Sequence, residues 1–365
     1  MKKYIFFFLL IISVNSISLQ CRPEQKTVEA KTSLVLVNPG AWYLRSFSYL
    51  VENKIIDIPD LQLLAVYHTE ALNKYNDCQE FIKTQKTPLF KARFIDKTLQ
   101  VDSLFQKNAC TADFYEIFKN SSGILFLGGA DIPPVVYGQK TNLLTGISTP
   151  HRHFFELSLL HHLIGGREGS TLTPFLEENP DYVVFGFCLG MQTMNVAAGG
   201  TMHQDIPSDI YGLHYVEDIL QMDRNLLHKN YWPNIRKESS LHWRNFHKIR
   251  LLNDSFFDKK LEIDTDMTPL VCSIHHQAVK DIAGSYKAAA SSLDAEVIEA
   301  LYHIKYRNVF GVQFHPEFYT LYDPNGMQYK LSPNDSAAVS EYEMLKQSKS
   351  LQFHEKYWAY FSGLF

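Results

Sequence analysis

One stretch, residues 182–192, most constrains how this chain can fold. It reads YVVFGFCLGMQ, an apolar, β-branched run followed at once by glycine, cysteine and glycine. The run has the length expected of a buried central strand in a parallel sheet. Gly186 and Gly190 lie two residues to either side of Cys188, and glycine at such positions permits a sharp turn from strand to helix. The stretch therefore predicts a strand, a turn that carries Cys188, and a helix.

The predicted position of Cys188 at a helix N-terminus indicates a nucleophile. Unpaired N–H groups and the helix dipole at that end favour the thiolate, which is the form that attacks carbonyl carbon. The alternative is an inert, buried cysteine that happens to lie between two glycines. The stretch alone leaves both interpretations open.

Apolar runs elsewhere in the chain alternate with helical stretches and predict an α/β fold. The strand-like runs of the first half are residues 33–38, 61–67, 90–95 and 123–129. Continuously apolar strands separated by helices are typical of a parallel sheet that is covered on both faces. We predict a flavodoxin-like, doubly wound, mostly parallel sheet with helices on both faces. Ligands bind at the carboxyl ends of such strands, where Gly128, Gly129 and Cys188 are expected to lie.

A long polar and aromatic tract, residues 208–245, interrupts this pattern. It is either an insertion that covers the site or a plain surface loop. Paired strands are then expected at 288–292 and 296–302, an apolar strand at 308–318, and a terminal helix from about Ala337. We predict that residues 33–365 form a single domain with the tract as its insertion.

His315 and Glu317 complete a catalytic pattern with Cys188. Both lie at the end of the apolar run 308–318, where Pro316 ends the strand. An imidazole at a strand end can take the thiol proton and later return it to a leaving amine. A carboxylate two residues further on points to the same side of an extended chain and can hold the other ring nitrogen. This is the cysteine, histidine and acid arrangement of acyl transfer.

Acyl transfer also needs donors for the oxyanion, and two backbone N–H groups are suitably placed. One belongs to Leu189, directly after the nucleophile, and the other to Gly129, in a loop whose glycines allow close approach of the backbone. The alternative for Gly129 is a purely structural tight turn.

Several motifs together resemble the class I glutamine amidotransferase-like family, and most closely its gamma-glutamyl hydrolase branch, of the gamma-glutamyl-GABA hydrolase type. The motifs are, in chain order, GGADIPPVVYG, RHFFE, GFCLGMQTMNVAAGGTMHQDI, SIHHQAVK and GVQFHPE. The resemblance covers roughly residues 34–318 and is specific because the motifs occur in the family's order.

The resemblance implies a thiol hydrolase, or omega-peptidase, that cleaves a gamma-glutamyl amide through a glutamyl thioester, without metal or organic cofactor. The family's catalytic triad falls on Cys188, His315 and Glu317, and its oxyanion donors fall on Gly129 and Leu189. Four further residues are expected to bind substrate or support the pocket: Gln192, His275, His276 and Gln277. A small gamma-glutamyl compound is the implied substrate.

Three departures from the branch leave alternatives for the function. Leu189 stands where the branch often has arginine, His153 replaces a common acid, and Ala295 replaces a glycine. Leu189 is typical of amidotransferase subunits, so a glutaminase that supplies ammonia to a partner synthetase is one alternative. The changes at His153 and Ala295 suggest another, an exported binding protein that keeps the fold and has lost catalysis.

Overall charge argues against a nucleic-acid partner. Lys and Arg total 35 against 39 for Asp and Glu, a formal net charge of −4. Such a balance offers no basic surface for a phosphate backbone.

Residues 1–20 have the three regions of a secretory signal peptide. Lys2 and Lys3 precede an apolar run at 4–14, which small polar residues follow. The apolar run is short for a membrane span, so we predict an exported protein, either periplasmic, secreted or anchored to a membrane as a lipoprotein. Lipidation of Cys21 and simple cleavage after Ser16 or Ser18 remain the two alternatives.

The remaining cysteines and the adjacent histidines do not form a metal-binding pattern. Apart from Cys21, and if Cys188 stays reduced for catalysis, three cysteines are left, and the sequence does not decide whether Cys78 and Cys110 pair. His275 and His276 are adjacent, but no third clustered ligand accompanies them, so we predict no metal site.

Overall fold

The computed structural model describes residues 32–71, 75–84, 89–253 and 255–365. The predicted signal segment at 1–20 and the lipidation candidate Cys21 lie outside these residues. The described residues belong to one compact unit. No helix among them combines the length and the apolar character that a membrane crossing requires.

The described part of the chain forms fourteen strands and eleven α-helices. The strands are β1 (Ser33–Val37), β2 (Gln62–His68), β3 (Phe90–Ile95), β4 (Gly123–Phe126), β5 (Val183–Phe187), β6 (Met202–His203), β7 (Asn245–Leu251), β8 (Leu270–Ser273), β9 (Ala278–Val279), β10 (Tyr286–Ser292), β11 (Ile298–His303), β12 (Val309–Val312), β13 (Gln328–Tyr329) and β14 (Val339–Ser340).

The helices are α1 (Ala41–Glu52), α2 (Tyr75–Thr84), α3 (Thr111–Lys119), α4 (Pro150–Ile164), α5 (Leu189–Ala197), α6 (Ile206–Asp209), α7 (Val216–Ile219), α8 (Trp232–Ile235), α9 (Phe256–Leu261), α10 (Glu341–Gln347) and α11 (Leu351–Ser362). Short 3₁₀ helices lie at Thr69–Ala71, Val101–Ser103, Pro134–Tyr137, Phe175–Glu177, Arg224–Leu226 and Tyr319–Leu321. Local signals mark several ends. For example, α4 begins with Pro150 and is followed by Gly165, the asymmetry expected of helix termini.

A ten-stranded sheet forms the centre of the molecule, in the order β3-β2-β1-β4-β5-β12-β11-β10-β7-β8. Its first six strands are parallel, and the other four continue the sheet with antiparallel pairings. The predicted flavodoxin-like, mostly parallel α/β fold is confirmed. Strands β10 and β11 are the pair expected at 288–292 and 296–302, and they are antiparallel.

Both faces of the parallel strands are buried, which explains their continuously apolar sequences. In β1, Leu34 and Leu36 face one hydrophobic core, while Val35 and Val37 face the other. The first core packs against α1 and α11, and the second against α3, α4 and α5. The doubly wound arrangement follows, because each strand must be covered on two sides.

The register of three central strands brings their carboxyl ends together. Phe126 of β4 pairs with Gly186 of β5, and Phe187 of β5 pairs with Val312 of β12. The segments that carry Gly128 and Gly129, Cys188, and His315 therefore emerge at the same edge of the sheet. This edge is where ligands bind in open α/β sheets.

Two predicted elements differ from the structure. The run 308–318 is a strand only over β12, because the chain leaves the sheet before His315 and Pro316. The expected single terminal helix is two helices, α10 and α11, since Lys349 between them has a positive φ of 60° that a continuous helix does not allow.

The sequence left open whether Cys78 and Cys110 form a disulfide. Cys110 has a free thiol, so this disulfide is not formed.

The tract at 208–245 is packed rather than extended. It contains α7, α8 and the 3₁₀ turn Arg224–Leu226, and its apolar side chains form a small core of their own around Ile219, Leu227 and Tyr231. The tract thus has enough internal packing to form a wall beside the carboxyl edge of the sheet.

Candidate active site

Cys188 stands on a strained turn between β5 and α5. Its backbone has φ 51° and ψ −107°, in the left-handed half of conformational space that non-glycine residues rarely enter. A Cβ at Gly186 would lie 2.6 Å from the carbonyl carbon of Gly190, and a Cβ at Gly190 would lie 2.1 Å from the Phe126 carbonyl oxygen. Only glycine fits at both positions, so the sequence pattern around Cys188 is a steric requirement of the turn.

His315 lies just after β12 and is held on both sides. Its Nδ1 is 2.7 Å from Oε1 of Glu317, which is fully buried. Its ring stacks on Phe318, with the ring centroids 4.3 Å apart. The carbonyl oxygen of the intervening Pro316 accepts hydrogen bonds from Tyr322 and Trp358, which fixes the turn. The ring orientation is therefore set before any substrate binds.

The electrostatics of His315 favour a proton on the ring. Burial by itself lowers the pKa of His315, but Glu317 and Cys188 outweigh it and raise the pKa to about 9. Among the described residues, no group other than the Cys188 thiol engages the Nε2 atom. An imidazole with one nitrogen bonded to a carboxylate can hold, on its other nitrogen, the proton that the nearby thiol gives up.

Arg152 of α4 orients the glycine loop opposite Cys188. Its Nη2 donates to the carbonyl oxygens of Leu127, at 3.3 Å, and Gly128, at 3.0 Å, while its Nε donates to Glu156 at 2.7 Å. Because the peptide group is planar and trans, a carbonyl of Gly128 held by Arg152 turns the N–H of Gly129 the opposite way. Arg152 therefore positions the donor that the sequence predicted for the oxyanion. Although RHFFE supported the family resemblance, no local pattern in the sequence indicated this contact.

A cavity of about 360 Å³ opens at this edge of the sheet and collects the predicted residues. Those that line it are Gly129, Cys188, Gln192, His275, His276, Gln277 and His315. Glu317 lies behind His315 and Leu189 begins α5, with its N–H among the helix-terminal donors that have no partner within the helix. The predicted candidates are thus brought to one place from four separate segments of the chain.

Polar contacts show how three of the lining residues are held. Gln192 donates from Nε2 to the carbonyl oxygen of Gln277 and to Oε1 of Gln313, both at 3.2 Å. His275 Nδ1 contacts the Gln277 carbonyl at 2.8 Å, and Gln277 donates to the Gln204 carbonyl. Gln192 and His275 therefore support the loop between β8 and β9 that forms one wall of the cavity.

His276 forms an ionic bridge that sequence reasoning missed. Its Nε2 is 3.0 Å from Asp131 and its Nδ1 is 3.0 Å from Asp205. Burial lowers the pKa of His276, but the hydrogen bonds to Asp131 and Asp205 outweigh it and raise the pKa to about 9. The ring is therefore a cation between two carboxylates. Both acids lie within motifs that carry the family resemblance, Asp131 in GGADIPP and Asp205 in MHQDI. Their place in these motifs could have identified them as site residues.

Tyr43 is a second lining residue that the sequence did not identify. It lies in the first turn of α1, after β1, and so at the carboxyl edge of the sheet where ligands bind. Burial raises the pKa of Tyr43, and the charges of Glu317 and Cys188 raise it further. The hydroxyl therefore keeps its proton and can donate a hydrogen bond into the site.

A second cavity, of about 410 Å³, adjoins the first. Asp131 and His276 line both cavities, so the ionic bridge stands at their junction. The 208–245 tract contributes much of the outer wall, through Leu213, Val216 and Tyr231 among others. The tract thus shapes space that is continuous with the surroundings of Cys188.

The His276 bridge is expected to stabilise the protein in a pH-dependent way. Because its folded pKa is raised, its contribution is complete below the ordinary histidine pKa of 6.5 and is lost as the pH rises through about 9. The difference in Tm between wild type and His276→Gln should therefore be a few degrees at pH 6 and shrink above pH 9.

Thermal denaturation across this pH range checks the prediction. His354→Gln is the matched control, because burial lowers the pKa of His354 to about 4 and the ring stays neutral over the whole range. A His276→Gln difference that is constant or grows with pH would contradict the account.

The fold and this site together define a class of protein. A flavodoxin-like sheet with a cysteine turn on one strand and a histidine and glutamate after the next is the arrangement of class I glutamine amidotransferase-like proteins. Residues 70–317, more than half of the chain, match the model of the Peptidase C26 family. The chain belongs to this family.

Individual relatives share about half of the chain. Protein NtpR of Enterococcus hirae is 31% identical over 196 residues, 53% of this chain and 66% of its own length. A provisionally named glutamine amidotransferase-like protein, YvdE of Lactococcus lactis subsp. lactis, is 27% identical over 53% of this chain and 65% of its own length. The match therefore spans just under two-thirds of each relative.

Among solved structures, a protein from Thermoplasma acidophilum, provisionally described as part of a GMP synthase, is similar to this chain. It has a TM-score of 0.41 and 12% identity, and the alignment covers 92% of this chain and 94% of that one.

Proposed function

We propose that this protein is a cysteine hydrolase that cleaves gamma-glutamyl amide bonds through a glutamyl thioester. The observation that carries the proposal is the arrangement of Cys188 on its strained turn beside His315, whose other nitrogen is bonded to Glu317. Membership of the Peptidase C26 family supports a hydrolase. The gamma-glutamyl specificity rests on the sequence motifs.

In the acylation half of the proposed reaction, His315 begins with its proton on Nε2, the proton that Cys188 has given up. The sulfur then bonds to the gamma-carbonyl carbon, and the carbonyl oxygen gains negative charge. The N–H groups of Gly129 and Leu189 stabilise that charge. When the tetrahedral intermediate collapses, the C–N bond breaks, His315 returns the proton to the departing amine, and a glutamyl thioester remains on Cys188.

Deacylation reverses these roles with water in place of the amine. His315 takes a proton from water as its oxygen attacks the thioester carbon. Collapse breaks the C–S bond, the sulfur regains a proton from His315, and glutamate leaves. Glu317 keeps the ring in the correct orientation through both halves and balances its positive charge.

The adjoining cavities support a substrate with a substantial leaving amine. We place that amine toward the second cavity, past the bridge between Asp131 and His276. There its polar groups could contact either the Asp131 carboxylate or the His276 cation. A glutaminase that releases only ammonia has no use for this space. The size of the site therefore favours hydrolysis of extended gamma-glutamyl amides.

Glutamate release from a panel of gamma-glutamyl amides tests the proposal. Leaving groups should range from ammonia, as in glutamine, to bulky polar amines, with alpha-glutamyl amides as the negative control. We expect kcat/KM for bulky amides to exceed that for glutamine at least about tenfold. Val216→Phe, which narrows the second cavity, should remove most of that preference, whereas Val135→Phe at an exposed site should not.

Two other outcomes would replace the proposal. Turnover of glutamine alone, with copurification of a synthetase, would establish the ammonia-supplying alternative, which Leu189 and the amidotransferase-like relatives favour. Binding of gamma-glutamyl ligands without turnover, together with a Cys188 thiol that does not react with iodoacetamide at neutral pH, would establish an inactive binding protein.

Gly128→Ala is expected to lower kcat by about 100-fold while the fold persists. An added Cβ would lie 2.5 Å from the Tyr43 hydroxyl and 2.7 Å from Cε1 of His315, so the catalytic ring must move. Steady-state kinetics with circular dichroism checks this. Gly284→Ala is the control, since a Cβ there meets nothing within 4 Å. Full kcat in Gly128→Ala would show that the ring position assigned to His315 is wrong.

We also propose export, on the basis of the N-terminal residues alone. N-terminal sequencing and mass analysis of protein from its native cells would distinguish cleavage after Ser16 or Ser18 from a lipidated Cys21. An intact N-terminus that begins at Met1 in the cytoplasmic fraction would overturn the proposal.

A further inference from the structure

Three buried side chains outside the catalytic trio bring metal-binding atoms together. His228 comes from the 208–245 tract, His247 from β7 and Glu299 from β11. Oε1 of Glu299 is 3.0 Å from Nδ1 of His228 and 3.0 Å from Nε2 of His247. One donor atom from each residue lies within 4.8 Å of the other two. All three side chains are 98% or more buried, as their exposures of 2%, 0% and 0% indicate.

Hydrogen bonding within the protein accounts for only part of this cluster, because Nε2 of His247 and Oε1 of Glu299 bond to each other at 3.0 Å. Nδ1 of His228 is close to Glu299 but lacks the geometry of a hydrogen bond. Nε2 of His228, Nδ1 of His247 and Oε2 of Glu299 are also buried without a hydrogen-bond partner among the described residues. Buried polar atoms nearly always have partners, and losing one costs about 1–3 kcal/mol. Nδ1 of His228 faces the Glu299 carboxylate without bonding to it, and this unpartnered buried nitrogen indicates that something else binds there.

A fourth candidate ligand lies next to the cluster. The ring centroid of His275 is 4.9 Å from that of His228, and His275 Nε2 also has no partner in the described part of the chain. Its Nδ1 is engaged by the Gln277 carbonyl, the outer contact that commonly fixes a metal-bound imidazole. His275 is thus oriented with one nitrogen free.

We propose that His228, His247 and Glu299, with His275 as the fourth ligand, bind a divalent transition metal ion of the zinc type. Imidazole nitrogen and carboxylate oxygen are both zinc ligands, and a closed, four-coordinate set is the arrangement of a structural zinc site. Ligand atoms around a tetrahedral zinc lie roughly 3.3 Å apart, and the imidazole to carboxylate distances here need to widen by only a few tenths of an ångström.

The ion would act as a structural clamp beside the catalytic cavity. It would join the tract that carries His228 to the sheet strands β7 and β11, and to His275 in the cavity wall. The backbone of His228 is already fixed there, because Ser273 donates to its carbonyl oxygen at 2.7 Å. Since all the ligands are buried, no open coordination position faces the substrate.

The sequence prediction of no metal considered the cysteines and the adjacent pair His275 and His276. His276 does not take part, because its nitrogens are occupied by Asp131 and Asp205. The proposed ligands are widely separated in the chain, without the short spacings of common zinc motifs, so only the fold reveals them.

Metal analysis of the purified full-length chain tests the proposal without requiring any catalytic activity. Protein purified without chelators should contain about one equivalent of transition metal, and His247→Gln should retain less than about a tenth of that. His354→Gln is the control, because it removes another fully buried histidine that is not one of the proposed ligands. The His354 ring is bonded instead to the Leu270 carbonyl. Wild-type protein refolded with zinc should melt several degrees higher than protein refolded with chelator.

A second measurement covers the case in which His247→Gln fails to fold. Wild-type protein refolded with cobalt(II) should show the visible absorption bands of tetrahedral nitrogen and oxygen ligation at one equivalent. The proposal is overturned if wild type contains no transition metal, refolds without taking up zinc or cobalt, and has the same Tm in both conditions. It is also overturned if His247→Gln folds and keeps a full equivalent of metal.

Discussion

Cys188→Ala is expected to reduce gamma-glutamyl hydrolysis by a factor of at least about 10⁴, with the fold unchanged. The alanine methyl group cannot form the thioester, and no other thiol borders the cavity among the residues that line it. The rate that remains in Cys188→Ala would come from substrate binding and from the oxyanion donors alone. The measurement is kcat/KM for the best amide of the panel, with circular dichroism to confirm folding.

Cys110→Ala is the matched control for this substitution. Cys110 is also buried with a free thiol, but it precedes α3 and its sulfur contacts the Lys97 carbonyl. Burial raises the pKa of this thiol to about 11, so it stays protonated at neutral pH. Cys110→Ala should keep wild-type kinetics. Comparable losses in both variants would mean that the effect of Cys188→Ala is structural.

Glu317→Gln is expected to lower kcat/KM at neutral pH by about 10²- to 10⁴-fold and to change its pH dependence. In wild type the activity should fall as the pH rises through about 9, because His315 then loses the proton that it gives to the leaving amine. Glu317 helps to raise the pKa of His315, so replacing the Glu317 carboxylate lowers that pKa. The alkaline limb of the Glu317→Gln profile should therefore move to lower pH, as kinetics between pH 5 and 10 would reveal.

Glu341→Gln separates this effect from the general loss of a buried carboxylate. Glu341 is also buried and also contacts a histidine, with Oε1 2.5 Å from Nε2 of His242 and 2.6 Å from Nη1 of Arg244. It does not contact His315, so its profile should keep the wild-type alkaline limb. A Glu317→Gln limb that stays in place or moves to higher pH would contradict the role proposed for Glu317.

The parts of the site that the sequence predicted depend on local constraints. The turn at Cys188 needs glycine at 186 and 190, and His315 and Pro316 close the apolar run that contains β12, so each feature is visible within a few residues. The continuously apolar strands likewise reflect burial on both faces. These signals were sufficient to predict the fold class and the positions of Cys188 and His315, whereas Gln192, His275, His276 and Gln277 were expected from the family resemblance.

The parts that the sequence missed depend on contacts between distant segments. Arg152 reaches the Gly128 carbonyl from α4, and His276 meets Asp131 and Asp205 only because β4, β6 and β9 lie near one another. The cluster of His228, His247 and Glu299 forms through the packing of the tract on the sheet. No periodicity or spacing encodes such pairings, so they follow only from the tertiary structure.

Mass spectrometry of the acyl-enzyme tests the central claim most directly. The protein is mixed with a gamma-glutamyl anilide, whose good leaving group favours accumulation of the thioester, and is quenched in acid at successive times. We predict that the peptide containing Cys188 gains the mass of one glutamyl group before steady state and loses it when substrate is exhausted. Glutamate release with Cys188 unmodified at every time, or with the acyl group on another residue, would contradict the account.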